Sequence, residues 1–216
     1  MDDLALPGER YAAVLQDLAR VNVVTRAAAP TLWWLNRATR GMQAFTLLDV
    51  GFGHGDMLRH VARWARRRGV PATLIGVDRD PRSAPAARAA TPPHLGITYI
   101  TGDAANVGVV PDVVISSLVA HHMAEEELVS FLQWMECTVT RGWFINDLHR
   151  HWLAWRGYQV LAALMQVDPI VRHDGALSVR RGFRRGEWEA LLEQAGVQGA
   201  DIRWFLPFRL CVGRLR

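Results

Sequence analysis

The sequence predicts one α/β domain, in which helices cover both faces of a doubly wound, mainly parallel sheet. Short apolar runs alternate with stretches of helical periodicity along most of the chain, as expected for βαβ units. A glycine-rich turn at residues 51–55 joins one such run to a helix. The 216 residues can bury a substantial core without disulfide bonds or a structural metal. We therefore expect a single domain over residues 1–216.

The first 42 residues are predicted to form a helical lid or cap before the core. Apolar residues recur at the spacing of one helical face from Tyr11 to Val21. A second apolar segment, residues 32–35, lies between Pro30 and Gly41. Two helices are expected here, followed by a cofactor-binding core over residues 43–216.

The core is predicted to alternate strands and helices. The predicted strands are residues 46–50, 73–77, 97–100, 113–115 and 139–145, and the predicted helices are residues 56–68, 81–90, 125–136, 148–167 and 187–195. Residues 202–215 are expected to form a closing hairpin broken at Pro207, and residues 148–182 a substrate-side insertion.

Charge and cysteine usage exclude several classes of protein. All 25 basic residues are Arg, so Walker A loops, pyridoxal phosphate Schiff bases and lysine aldolases are excluded. A net charge of +4 fits a mixed, solvated surface better than a nucleic-acid footprint, despite the Arg clusters at residues 66–68 and 180–185. Cys137 and Cys211 have neither a disulfide framework nor the spacing of a zinc site, so no metal is expected.

The sequence predicts a cytoplasmic protein without a membrane span. The acidic start, residues 1–3, lacks the apolar segment of a secretory signal. The longest apolar stretch, residues 152–167, is interrupted by Arg156 and is too short to cross a bilayer core of about 30 Å. The sequence does not indicate an oligomeric state.

The glycine-rich turn predicts a cofactor cradle. Asp49 precedes Gly51, Gly53 and Gly55, and glycines at such a turn allow the backbone to approach a ligand closely. In a dinucleotide fingerprint the third glycine would fall at Asp56, whose carboxylate would oppose a pyrophosphate. A cationic sulfonium cofactor is compatible with these carboxylates. The alternative is a glycine-rich turn without a ligand.

Asp78 and Asp103 each follow a predicted strand. A carboxylate at the end of the second strand can accept hydrogen bonds from both hydroxyls of a ribose. Asp103 follows the third strand, from which it could hold an adenine amino group. Each Asp alone is also typical of a helix cap or a turn.

These segments resemble the class I S-adenosylmethionine-dependent methyltransferases. The resemblance is carried by residues 49–55, 76–78, 102–104 and 114–122. It implies the Rossmann-like methyltransferase fold, with seven strands of which the last is antiparallel, and S-adenosyl-L-methionine as cofactor. The cofactor-binding residues that it implies are Asp49, Gly51, Gly53, Gly55, Asp78, Arg79, Asp103, Ala104, Ser116 and Leu118.

The substrate half resembles a narrower group. Residues 146–151 and 172–178 are similar to bacterial small-molecule methyltransferases encoded beside polyketide synthases. The Asp/Asn-Pro-Pro-Tyr signature of amide and nucleobase N-methyltransferases is missing, since Ser-Ser-Leu-Val stands at residues 116–119. We therefore expect methyl transfer to a small apolar or aromatic acceptor, with a phenolic or polyketide-type hydroxyl as the first choice and C-methylation still open.

A hydroxyl acceptor needs a base, and His is the usual one near neutral pH. His149 is the predicted base, oriented by Asp147, with His121 completing the polar end of the pocket. His121 is the second candidate for the base, and either His could instead only cap or pack. The predicted substrate-binding residues are Trp33, Trp34, His122, Arg150, His151 and Trp152.

The Trp residues could be core packing rather than a pocket.

Two other functions stay open. The chain could also methylate RNA or protein, or be a catalytically silent, regulatory cofactor-binding domain, because a fold alone does not decide function.

Overall fold

A single seven-stranded sheet forms the centre of the computed structural model, which describes residues 7–216. The acidic start at residues 1–3, which bears on the predicted absence of a secretory signal, lies outside the described residues. The strands are β1 (Phe45–Val50), β2 (Ala72–Asp78), β3 (Ile97–Thr101), β4 (Val113–Ser117), β5 (Gly142–Leu148), β6 (Asp201–Phe205) and β7 (Arg209–Leu215).

The sheet has the order β3-β2-β1-β4-β5-β7-β6. Strands β1 to β5 pair in parallel, and β7 is antiparallel to β5 and to β6. This confirms the predicted mainly parallel sheet with an antiparallel last strand. The order reverses between β1 and β4, and ligands of open α/β sheets bind beside such a reversal, at the carboxyl ends of the strands.

Helices cover both faces of the sheet. They are α1 (Gly8–Val24), α2 (Ala28–Ala38), α3 (Asp56–Arg68), α4 (Ser83–Ala89), α5 (Glu125–Thr138), α6 (Trp152–Leu164), α7 (Pro169–Arg181) and α8 (Arg185–Gln194). None of the helices in the described residues is both long and apolar enough to cross a membrane.

Helix α3 shows how the local sequence places the cradle. Gly55 precedes the helix with a left-handed φ of 73°, and Gly69 ends it with a φ of 67°. Asp56 lies in the first turn and three Arg residues in the last, which suits both ends of the helix dipole. The helix therefore begins directly behind the glycine-rich turn.

Three apolar clusters hold the domain together. One lies between the sheet and α2, α3 and α4, and a second between the sheet and α5 and α8. The third joins α1, α6 and α7, with Val14, Val21, Ala162 and Val171 among its buried members. Helix α2 belongs to the sheet core, whereas α1 packs with α6 and α7.

Two predicted elements differ from the structure. The fifth strand covers residues 142–148 rather than 139–145, because the sheet register pairs Gly142 with Val113. The single helix expected over residues 148–167 is wrong. There are two helices, because Asp168 caps the backbone N–H of Ile170 and Pro169 begins α7.

Candidate active site

The three glycines of the turn after β1 all have positive φ, with values of 76° at Gly51, 52° at Gly53 and 73° at Gly55. A Cβ at Gly51 would collide with Val119, and one at Gly55 with Tyr99. A Cβ at Gly53 would meet no atom nearer than 3.9 Å. Two glycines thus allow close packing, whereas a Cβ at Gly53 would make only an ordinary van der Waals contact with Leu15.

Asp49 is a buried carboxylate at the end of β1. Its residue is 1% exposed, and neither Oδ atom has a hydrogen-bond partner among the described residues. Burial raises the pKa of Asp49 well above its ordinary value, and the nearby charges of Asp56 and Asp78 raise it further. A ligand that donates hydrogen bonds or carries positive charge would satisfy this carboxylate.

Asp78 joins the end of β2 to the glycine turn. Its carboxylate accepts hydrogen bonds from the backbone N–H of Gly53 at 2.8 Å and of Asp80 at 2.9 Å. Burial raises the pKa of Asp78, although these two bonds act against the rise. A carboxylate has about four acceptor positions, so it retains capacity for ligand hydroxyls.

An ion-pair network occupies the rim after β2 and β3. Arg79 contacts Asp103 at 2.8 Å and Glu127 at 2.7 Å, and Asp103 accepts a hydrogen bond from the backbone N–H of Ala105 at 2.9 Å. The Ala105 bond and Arg79 lower the pKa of Asp103. Ala104, the residue between these anchors, is held in a short helical turn.

The remaining predicted cofactor residues lie at the end of β4. The Ser116 hydroxyl donates to the carbonyl of Val50 at 2.9 Å and so joins β4 to β1. Leu118 has a left-handed φ of 61° and lines the cavity described below. All ten predicted cofactor residues therefore lie near the carboxyl ends of β1 to β4.

His121 and Asp147 form a buried dyad. His121 Nδ1 lies 2.7 Å from Asp147 Oδ1, and the backbone N–H of His121 donates to Oδ2 at 3.2 Å. The Leu148 backbone N–H also donates to Oδ1, at 2.6 Å. Burial alone would raise the pKa of Asp147, but His121 and these hydrogen bonds hold it below its ordinary value. Asp147 is therefore ionised near neutral pH.

The dyad leaves one imidazole nitrogen available. An ionised Asp147 favours the tautomer with hydrogen on Nδ1 of His121, which leaves a lone pair on Nε2. Nε2 is buried and has no hydrogen-bond partner among residues 7–216. This is the arrangement of a base oriented by a carboxylate.

The prediction that Asp147 orients His149 is wrong. Asp147 lies inside β5, beside the turn that follows β4, so its carboxylate reaches His121. His149 follows the strand, where its backbone N–H donates to the Phe208 carbonyl at 3.0 Å. Burial and the charges of His151 and Arg184 lower the pKa of His149.

A cavity of about 480 Å³ lies beside the dyad. Its walls come from α1, α6, α7, the segment after β4, the end of β5 and the turn between β6 and β7. Its apolar lining residues include Leu18, Val21, Leu118, Leu148, Ala154, Tyr158, Leu161, Val171, Leu177, Val179, Pro207 and Phe208, and its ionisable ones are His121, His122, His149, Asp174, Arg181 and Arg209.

The Trp residues expected to bind substrate do not line this cavity. Trp34 is buried in the sheet core and stacks on Phe144 with ring centroids 5.2 Å apart. Trp33 contacts the edge of Phe205, and Trp152 is 67% exposed. The expected pocket role is corrected for all three, because α2 packs on the sheet and the Trp152 side chain at the start of α6 is exposed.

Arg150 and His151 are likewise not among the residues that line the cavity. Arg150 pairs with Glu187, which belongs to the first turn of α8. The His151 ring accepts a hydrogen bond from the backbone N–H of Leu153 at 3.2 Å and so caps α6. Of the expected substrate residues, only His122 lines the cavity.

Sequence analysis expected a substrate-side insertion at residues 148–182 but named neither Tyr158 nor any residue of α7 as part of the pocket wall. The Tyr158 hydroxyl donates to the Val171 carbonyl at 2.5 Å, and Gly175 leaves room for its ring between α6 and α7. Burial raises the pKa of Tyr158 to about 12, so this phenol stays protonated. Residues 169–181 contain too few apolar residues to predict a helix from periodicity. The pair Asp168–Pro169 is the sequence signal that indicates where this helix begins.

Asp49→Asn is expected to stabilise the ligand-free protein near neutral pH by about 1–3 kcal/mol, because the variant carries no unpaired charge. The folded pKa of Asp49 lies above the unfolded value of about 4, so wild-type stability falls as pH rises from there through the folded pKa. Urea unfolding across pH measures this slope. Asp103→Asn is the control, because the folded pKa of Asp103 is lowered. Equal pH slopes in wild type and Asp49→Asn would contradict the prediction.

Comparison with known proteins gives a consistent result for the fold. A family model described as a methyltransferase domain matches residues 47–142. No curated protein matches the chain.

Within the described residues, no group of three or more His, Cys, Asp or Glu side chains could hold a metal ion.

Three solved structures illustrate the similarity. Magnesium protoporphyrin IX methyltransferase from Synechocystis, with bound SAH, is 17% identical, with 93% of this chain and 86% of that chain covered and a TM-score of 0.60. The plantazolicin methyltransferase BpumL in complex with SAH is 14% identical, with 96% and 95% covered and a TM-score of 0.67. Human N-acetylserotonin methyltransferase in complex with SAM is 13% identical, with 100% and 60% covered and a TM-score of 0.66.

The sheet order, the glycine turn after β1 and the family match agree with one another. The match extends from Leu47 in β1 to Gly142 at the start of β5. Residues 47–142 therefore match a methyltransferase domain model, and the chain has the Rossmann-like fold that the S-adenosylmethionine-dependent methyltransferases share.

Proposed function

We propose that this chain transfers a methyl group from S-adenosylmethionine to a small apolar or aromatic acceptor, at a phenolic or polyketide-type hydroxyl. One observation carries the proposal. The His121–Asp147 dyad borders an apolar cavity of about 480 Å³. That volume suits a small molecule. The structural neighbours that act on small molecules support the same reading.

The glycine turn fits the cofactor. Gly53 has no side chain and would make no close Cβ contact, and Asp49 offers a carboxylate without a partner among the described residues. These two would hold the methionine part, Asp78 the ribose, and Asp103 with Ala104 the adenine. When bound, S-adenosylmethionine supplies a methyl group that is activated by its sulfonium.

The cavity and the cradle share a wall. Gly51 packs on Val119, which lies between the cavity-lining Leu118 and the turn that carries His121. An acceptor in the cavity would thus lie next to the glycine turn. Alignment of the acceptor and exclusion of water are the main tasks of the protein in such a displacement.

His121 is proposed as the base, in place of His149. Its Nε2 would take the proton of the acceptor hydroxyl, and Asp147 would stabilise the resulting imidazolium. The low pKa of Asp147 keeps the carboxylate ionised for this purpose. His149 also lines the cavity but has no carboxylate partner among the described residues, so we assign it a role in binding.

An acceptor panel tests the proposed function. Wild-type protein with isotope-labelled S-adenosylmethionine should convert apolar phenols into labelled methyl ethers, detected by mass spectrometry. Salt-sensitive binding and labelling of structured RNA, with no phenol converted, would favour a nucleic-acid methyltransferase instead. Cofactor binding without turnover of any acceptor would favour a silent binding domain.

Gly53→Ala should abolish most cofactor affinity at a small cost in stability. The new methyl group would stand on the face of the turn that is proposed to hold the cofactor, while the left-handed backbone costs about 1 kcal/mol. Gly69→Ala is a matched control, because its φ is 67° and a Cβ there likewise makes no close contact. Calorimetry with S-adenosylhomocysteine measures the affinities, and equal affinity in the two variants would place the cofactor elsewhere.

A further inference from the structure

Arg209 is a buried cation in the wall of the substrate cavity. It begins β7, opposite Leu148 of β5 and Phe205 of β6. The residue is only 4% exposed, yet it lines the same cavity as His121. An Arg in this position needs a partner, because a buried charge is costly unless it is paired.

The hydrogen bonding around Arg209 is sparse. Its Nη1 donates to Asn146 Oδ1 at 3.3 Å, and it forms no ion pair with the residues that the structure describes. The amide of Asn146 is fixed, because its Nδ2 donates to the Ala27 carbonyl at 2.8 Å and to Thr31 Oγ1 at 2.9 Å. The single partner of the guanidinium is therefore neutral.

The charges of Asp147 and Asp56 act on Arg209, but neither carboxylate forms an ion pair with it among the described residues. Asp56 instead accepts a hydrogen bond from Asn22 Nδ2 at 3.2 Å. Asp147 is engaged by His121 and by two backbone N–H groups. Burial raises the pKa of the Cys211 thiol to about 12, so the thiol is neutral near pH 7. Most of the guanidinium fork is thus left for a ligand in the cavity.

We infer that Arg209 binds a carboxylate of the acceptor, so that the substrate is a hydroxy acid with an apolar body. A guanidinium fork matches the planar, two-oxygen shape of a carboxylate. The hydroxyl would then lie at His121 and the carboxylate at Arg209, within one cavity. This inference rests on the proposed function, because it specifies the substrate of the same site.

The test compares matched ligands in the presence of S-adenosylhomocysteine. The probes are a hydroxynaphthoic acid, its methyl ester and the corresponding naphthol, which share an apolar body and differ in charge. Calorimetry should show that wild type binds the acid at least about tenfold more tightly than the ester. Arg209→Met should weaken binding of the acid by about ten- to thirtyfold and change the affinity for the ester by less than about twofold.

Arg181→Met is the matched control, because Arg181 also lines the cavity but is exposed. It should leave the affinity for the acid unchanged. Equal binding of acid and ester by wild type would overturn the inference, and so would an effect of Arg181→Met that Arg209→Met does not share. The wild-type comparison decides even if Arg209→Met does not fold. Because binding is measured without turnover, preference for the acid with no methyl transfer would contradict the proposed function alone.

Discussion

His121→Ala is expected to lower kcat by about 10²- to 10⁴-fold near neutral pH, with the affinity for S-adenosylhomocysteine nearly unchanged. The reason is that the imidazole would take the acceptor proton, while the cofactor cradle lies on the glycine turn. Raising the pH should restore part of the rate, because the acceptor hydroxyl then ionises without help. A pH–rate profile on one accepted phenol measures both effects.

The control is His149→Ala, which removes the cavity-lining His that follows β5. It should change KM more than kcat. Because His121→Ala removes the side-chain partner of the buried Asp147 carboxylate, His121→Gln provides a second variant that keeps a side-chain donor. A disabled His149→Ala enzyme beside an active His121→Ala enzyme would move the base to His149. Full activity in both variants would mean that alignment alone suffices.

Asp78→Ala should weaken cofactor binding by about 1.5–3 kcal/mol, the range for hydrogen bonds to a charged group. The variant loses the acceptor for the ribose hydroxyls and also the bond to the Gly53 N–H, which helps to fix the cradle. Calorimetry with S-adenosylhomocysteine measures the loss.

Asp112→Ala is the matched control for Asp78→Ala. Asp112 also accepts a backbone N–H at 2.8 Å, from Thr46, but it lies at the opposite end of β1. Its removal should cost stability without changing cofactor affinity. Unchanged affinity in Asp78→Ala would mean that the ribose is held by other residues.

The positions of the candidate cofactor residues were predictable from sequence because each lies close to a strand end. A glycine turn after β1 and an Asp after each of the next two strands occupy positions that the parallel sheet brings together. The sheet geometry converts the order of these segments along the chain into proximity. Only the strand boundaries had to be correct to within a few residues.

The substrate half was less predictable because it depends on packing between distant segments. His121 and Asp147 are 26 residues apart and meet because β4 and β5 are neighbours, with the true end of β5 three residues later than predicted. Trp33 and Trp34 marked an apolar helix, but the sequence did not indicate which surface it would cover. Arg209 lies within the apolar run of residues 205–212, and this pattern is the sequence signal that indicates a buried cation.

The most direct test of the account is calorimetric titration of the wild-type protein with S-adenosylhomocysteine and, separately, with a nicotinamide dinucleotide. The glycine turn has Asp56 where a dinucleotide cradle needs its third glycine. The carboxylate of Asp49 has no partner within residues 7–216, so it suits a ligand with a cationic or hydrogen-bond-donating group. We expect saturable binding of S-adenosylhomocysteine at one site per chain and none of the dinucleotide. Clear binding of the dinucleotide with no detectable binding of S-adenosylhomocysteine would contradict the account.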